Sequence, residues 1–274
     1  MAGKKERQRK LARERYQRRL ARQAHRDRRA RRWTVAFTAV IVVAGLSVGG
    51  VLLAGKSSGT ATTPKATPSA SATPSPTPTA VAEPATHCTY TAAGTAARKV
   101  SVPPATPDYK ATYQATLNTN RGAIVIDLLN SKATCTVNSF VHLAAQDFYN
   151  SSPCFRLSTS GGVYILQCGD PTGKGSGGPG YEFASENLTG ATYPAGTLAM
   201  ANETGEPDSN GSQFFLVYKA SSLSPDYTPF GMIVSGLNIL QAVAKAGYGP
   251  PISSGGGGAP KKSVEIESVT IKQT

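Results

Sequence analysis

Histidine is nearly absent from this chain: three occur in 274 residues, at positions 25, 87 and 142. His142 falls in a helical stretch and His87 in the stalk, so none is placed as a base near a Ser or Cys nucleophile elbow, and a Ser-His or Cys-His hydrolase arrangement does not fit. The same scarcity argues against a metal centre, since no Cys-x-x-Cys occurs and Cys88, Cys135, Cys154 and Cys168 have no histidines at ligand spacing. A phosphate loop is missing too. The one glycine-dense segment, residues 169–180, places Lys174 after too short a glycine spacing and follows it with Gly175 rather than Ser or Thr. Any chemistry left to this chain needs no histidine base, no metal and no cofactor.

Acidic residues are also few, 16 against 29 Lys and Arg, for a net charge of +13. Residues 1–32 hold 15 of the bases and three of the acids, a net of +12, so +1 remains for residues 33–274. A basic groove spread over a folded domain is therefore not the source of the charge. For the tail itself the readings are RNA or DNA binding and attraction to anionic lipid; beside a membrane span the lipid reading is favoured, and no nucleic-acid partner is expected.

Residues 33–55 contain no charged residue. As a helix they would span about 34 Å, enough for a hydrocarbon core of about 30 Å. Trp33 stands at one boundary behind Arg31 and Arg32, and the positive-inside rule sets the N-terminus in the cytoplasm. The run is too long for a cleaved signal, and Ala54-Gly55-Lys56 is a poor cleavage site. The expectation is a single-pass cell-membrane protein whose basic tail, 1–32, meets anionic lipid. Residues 56–107 read as a stalk. The stretch 56–86 is almost wholly Ser, Thr, Ala and Pro, too poor in apolar side chains to offset its ordering entropy.

Four cysteines beyond the span, in an oxidising compartment, suggest disulfides. Three pairings are open; Cys154 and Cys168 flank Gly161-Gly162 symmetrically, which favours that pair and leaves Cys88 for Cys135. Residues 108–274 are long enough for one core. Hydrophobic alternation predicts strands at 111–117, 123–129, 154–159, 163–168, 197–201, 212–218, 229–234 and 263–272, the last with a phase shift that signals a bulge. Helical spacing appears at 134–147 and 237–246. The pattern is mostly β with two helices.

The ordered series Gln167-Cys168-Gly169-Asp170-Pro171, Gly178-Pro179-Gly180-Tyr181-Glu182-Phe183, Leu198-Ala199-Met200-Ala201-Asn202, Asn210-Gly211-Ser212-Gln213-Phe214-Phe215 and Phe230-Gly231 closely resembles the cyclophilin-type peptidyl-prolyl cis-trans isomerases. The resemblance covers about residues 111–272, and anchor and stalk resemble those of membrane-tethered bacterial members. It implies a closed eight-stranded antiparallel barrel capped by two α-helices, here preceded by one transmembrane helix. It further implies acceleration of X-Pro isomerisation in secreted or cell-envelope clients. Arg156 matches the catalytic arginine and Gln167 the glutamine that holds it. Ala201, Asn202, Gln213, Phe215 and Leu223 match the substrate cleft. Counting from neighbouring motifs puts Tyr164 and Ile165 where Phe and Met are usual, and Tyr227 where many members have a histidine. The chain departs from the pattern in a longer Ser158–Val163 turn, in Phe155 before the arginine, and in Ser222 near the position of a tryptophan tied to cyclosporin binding. A catalytically weak proline-peptide binding module on the same fold is the alternative reading.

Overall fold

The structure is a computed structural model and describes residues 83–203, 206–252 and 256–274. The basic tail, the expected span at 33–55 and the stalk up to residue 82 lie outside the described residues. Among the described residues no helix is long and apolar enough to cross a membrane.

Thirteen strands and two helices follow one another in the described residues. They are β1 (Thr91–Ala92), β2 (Tyr113–Thr119), β3 (Gly122–Leu128), α1 (Thr134–Ala145), β4 (Ser152–Pro153), β5 (Arg156–Ser160), β6 (Val163–Cys168) and β7 (Tyr181–Glu182). Then come β8 (Thr197–Met200), β9 (Phe214–Val217), β10 (Pro229–Ser235), α2 (Leu237–Ala246), β11 (Tyr248–Pro251), β12 (Gly258–Pro260) and β13 (Glu265–Gln273). Eleven strands form one sheet in the order β11-β12-β5-β6-β9-β8-β10-β3-β2-β13-β4, and β1 pairs separately with β7. The expectation of a closed eight-stranded barrel is corrected here, because the hydrogen-bonded order has two ends, β11 and β4. Both end strands carry proline (Pro250, Pro251 and Pro153), which has no N–H to continue a ladder.

Alternation builds the core. Ala115 and Leu117 of β2 and Ile124, Ile126 and Leu128 of β3 turn inward and are buried. One face of α1, with Val137, Phe140, Leu143 and Ala144, packs on the same core. Phe140 meets Tyr149, Phe214 and Phe230 at ring-centroid distances of 5.1, 5.7 and 5.5 Å. No side chain of its own caps α1. Glu186 supplies the missing acceptors, taking the N–H of Cys135 at 3.0 Å and of Thr136 at 2.7 Å, where the helix dipole also favours a carboxylate. The phase shift in the last strand is a register break between Ile266 and Ser268.

The ordered unit starts earlier than residue 108. Residues 88–107, assigned above to the stalk, pack on the domain. Cys88 is disulfide-bonded to Cys135. Tyr90 sets its ring edge-on to Tyr181 and Phe183 and donates its hydroxyl to the Cys135 carbonyl at 2.8 Å. Arg98 donates to the carbonyls of Asp147 and Phe148, each at 3.1 Å, just beyond α1. This arm has little periodicity to read, since discrete anchors rather than an apolar face attach it.

Candidate active site

β5 and β6 form a hairpin around Gly161-Gly162, whose φ values of 65° and 78° suit a two-residue turn matched to strand twist. Its register pairs Arg156 with Gln167. Across the next two ladders Gln167 pairs with Phe215, and Phe215 with Ala199. Directly paired residues share a face, so Arg156, Gln167, Phe215 and Ala199 stand in one row across β5, β6, β9 and β8.

Polar side chains are fixed in sequence beside that row. Arg156 donates from Nη1 to Gln167 Oε1 at 3.0 Å and from Nε to the Gly256 carbonyl at 2.8 Å. Gln167 donates from Nε2 to Gln213 Oε1 at 2.9 Å, and Gln213 from Nε2 to the Gly177 carbonyl at 3.1 Å. Each amide accepts on one side and donates on the other, so both are held in one orientation. Burial pulls the Arg156 guanidinium below its usual value, against a smaller opposing effect of Tyr227. An arginine remains a cation throughout.

The loop that presents the Gly177 carbonyl is itself held through its N–H groups. Asp170 is fully buried and accepts from the N–H groups of Thr172, Ser176 and Gly177 at 2.7, 3.0 and 3.0 Å and from the Thr172 hydroxyl at 2.9 Å. Burial alone would raise this carboxyl, but the hydrogen bonds outweigh it and leave Asp170 below the ordinary carboxylate range. A side chain at Gly177 would meet the carboxylate at 2.1 Å, which accounts for glycine there. The glycine-dense segment is thus wound around an anion of its own chain and ends on Gln213.

Beside the polar row lies a small apolar group separate from the main core: Ile165, Tyr193, Ala199, Phe215 and Val217, with Val163, Ala201, Leu223 and Tyr227 half-buried against it. Phe215 meets the Tyr227 ring at 5.5 Å and 81°. Tyr193 holds Tyr227 in place, donating its hydroxyl to the Tyr227 carbonyl at 2.8 Å and accepting the Tyr227 N–H at 3.1 Å. Ala201 donates its N–H to the Gln213 carbonyl at 2.9 Å, and Asn202 its side-chain amide to the Asp226 carbonyl at 2.7 Å.

Of the residues expected at the site, Arg156, Gln167, Gln213, Phe215, Ile165, Ala201, Leu223 and Tyr227 come together, with Asn202 bracing the adjoining turn. Tyr164 does not, and its expected place in the cleft is corrected. Successive residues of a strand face opposite sides, so with Ile165 in the cleft group Tyr164 turns away, onto Tyr218 at 6.1 Å and under Lys219. Val163 instead packs with Ile165 on the small apolar group. Tyr193, Asp170 and Gly256 were missed. Asp170 had a signal in its Asp-Pro-Thr-Gly turn sequence; Tyr193 and Gly256 had none. Cys154 is bonded to Cys168, the former two residues before Arg156 and the latter directly after Gln167.

The family model described as "Cyclophilin type peptidyl-prolyl cis-trans isomerase/CLD" matches residues 114–271, and the chain belongs to that family. It is 45% identical over 202 residues to the probable peptidyl-prolyl cis-trans isomerase B of Mycobacterium leprae, covering 68% of this chain and 66% of that protein. A protein of the same description from Mycobacterium tuberculosis is 46% identical over 180 residues, with 60% and 56% covered. The chain thus spans less than two thirds of the length of these relatives. A cyclophilin-type isomerase of Cryptosporidium parvum superposes with a TM-score of 0.51 at 28% identity, covering 60% of this chain and 99% of that one.

Proposed function

We propose that this chain is a peptidyl-prolyl cis-trans isomerase held outside the membrane by residues 33–55, acting on proline-containing secreted or cell-envelope polypeptides. The observation that carries the reading is the row of Arg156, Gln167 and Phe215 across three paired strands, an oriented cation beside an apolar ring. Isomerisation of an X-Pro bond is slow because amide resonance must be lost, at a barrier of about 18–20 kcal/mol. In the twisted amide the nitrogen gains a lone pair. The apolar group around Phe215 receives the proline ring, and Arg156 supplies a hydrogen bond stronger to the twisted nitrogen than to the planar amide. Gln167 and Gln213 fix the guanidinium before substrate arrives. No covalent bond is made or broken.

Exchange of an Ala-Pro peptide, followed by NMR with the full chain, tests this. Acceleration by the wild type is expected, with Arg156→Ala slower by about 100-fold; an unchanged rate in the variant would falsify the assignment. The anchor is a separate element of the reading, supported by the uncharged run behind a tail of net +12 and by the two disulfides, which suit an oxidising compartment. Protease added to intact cells should release the domain, and complete protection would reverse the topology. The tail should favour anionic over neutral vesicles and show no selective RNA binding.

A further inference from the structure

On the opposite side of β6 from the cleft, a groove of about 500 Å³ lies between the β5–β6 hairpin, the segment after β9, and α2. Its walls include Thr159, Tyr164, Tyr218, Lys219, Gln241 and Lys245, with no carboxylate in the lining. Among the described residues neither lysine is in an ion pair. The Lys219 ammonium lies 4.5 Å from the centroid of the Tyr164 ring, which places its charge at the groove. Tyr164 is in turn set by Tyr218, whose hydroxyl donates to the Ser158 carbonyl at 2.8 Å.

The groove depends on the length of the hairpin. Its tip is fastened to the segment after β9, with the Ser222 N–H donating to the Gly162 carbonyl at 2.8 Å and the Tyr164 N–H to Ser221 Oγ at 2.9 Å. A hairpin with shorter strands would leave Thr159 and Tyr164, which pair directly near its tip, no place as a wall. The same segment joins the groove to the cleft: Lys219 lines one and Leu223 packs in the other. Four residues of extended chain reach at most about 14 Å, so a polypeptide seated on Phe215 could cross that segment within a few residues. Because residues 33–274 carry a net charge of only +1, this pair of lysines is a local positive site on a nearly neutral body.

We propose that the groove is a second docking site for the client polypeptide itself: it receives Asp or Glu side chains about four to six residues from the proline held in the cleft. The occupant is acidic because two cations line the groove without a counter-charge, and it is peptide because only the segment 219–223 separates the groove from the apolar group around Phe215 on the other face of β6. This inference rests on the isomerase reading for where the proline sits.

The test uses the full chain and three Ala-Pro peptides: one short, one carrying Glu residues four to six positions from the proline, and one with Gln in their place. Both dissociation constants, by fluorescence anisotropy, and isomerisation rates are measured. At low ionic strength the Glu peptide should bind about fivefold more tightly than the Gln peptide, and the difference should shrink as salt rises. Lys219→Gln with Lys245→Gln should abolish the difference while the short peptide is turned over as before. Equal binding of the Glu and Gln peptides, or a preference that survives the double variant, would overturn the proposal. So would a double variant that loses affinity for phosphatidylglycerol vesicles yet keeps its peptide preference, which would assign the groove to lipid. A flank-dependent dissociation constant without isomerisation of any peptide would support the docking site and sink the catalytic reading alone.

Discussion

The two disulfides close loops of very different length and serve different regions. Cys88–Cys135 spans 47 residues and fastens the N-terminal arm to α1, while Cys154–Cys168 spans 14 and staples β5 to β6 beside Arg156 and Gln167. Chain entropy favours the longer loop, at about 4 kcal/mol against about 3 kcal/mol for the shorter. Geometry favours the shorter for function, because its half-cystines flank the very pair that orients the cation. Both cross-links thus stabilise the fold to a similar extent, and only the shorter one lies beside the Arg156–Gln167 pair.

Removing each staple should separate the two roles. The largest loss of stability is expected for Cys88→Ala with Cys135→Ala, about 4 kcal/mol in denaturant melts, with kcat/KM for a short proline peptide within about twofold of wild type wherever the variant is folded. A parallel fall in turnover would mean that the arm also shapes the cleft. Cys154→Ala with Cys168→Ala should cost about 3 kcal/mol and, unlike the first pair, lower kcat/KM in the folded state by about tenfold, since loosened hydrogen bonds misplace the donor. Full turnover in that folded variant would break the comparison.

A smaller effect belongs to Asp170, which orders the glycine-dense loop without any covalent link. Asp170→Asn removes the charge from a buried acceptor of four hydrogen bonds and should cost about 2 kcal/mol. The pH dependence has a definite sign. The carboxyl is depressed in the folded chain, so its stabilisation is complete above the unfolded value of about 4 and is lost as pH falls through the lower folded value. Urea melts from pH 7 down to pH 3 should show the wild type losing part of its advantage over Asp170→Asn only at the acid end. A constant gap across that range would show the carboxylate to be inert.

Much of the molecule was legible before any coordinates, and the parts that were not share a cause. Strand β6 and helix α2 have the bounds expected from hydrophobic period, 163–168 and 237–246, because each sets one apolar face against a core. The ordered motifs pointed to Arg156, Gln167, Gln213 and Phe215, which the fold assembles. Tyr164 was misplaced because counting along a motif ignores which side of a strand a residue takes. The arm at 88–107 was read as stalk because a disulfide, an edge-on ring and an arginine on four backbone carbonyls leave no periodic trace.

The amino-acid sequence by itself determined the separation of a basic tail, an uncharged run and a nearly neutral body, the family to which that body belongs, and the residue types available for chemistry. Those are properties of composition and local order. Only the tertiary structure decided that the sheet ends at β11 and β4 rather than closing, that Tyr193 clamps Tyr227, that Asp170 winds the glycine-dense loop under Gln213, and that two lysines share a groove behind the cleft. Each of these depends on contacts between residues distant in the chain, and period, charge and spacing along one dimension do not encode which of many apolar or polar partners a folded chain brings within reach.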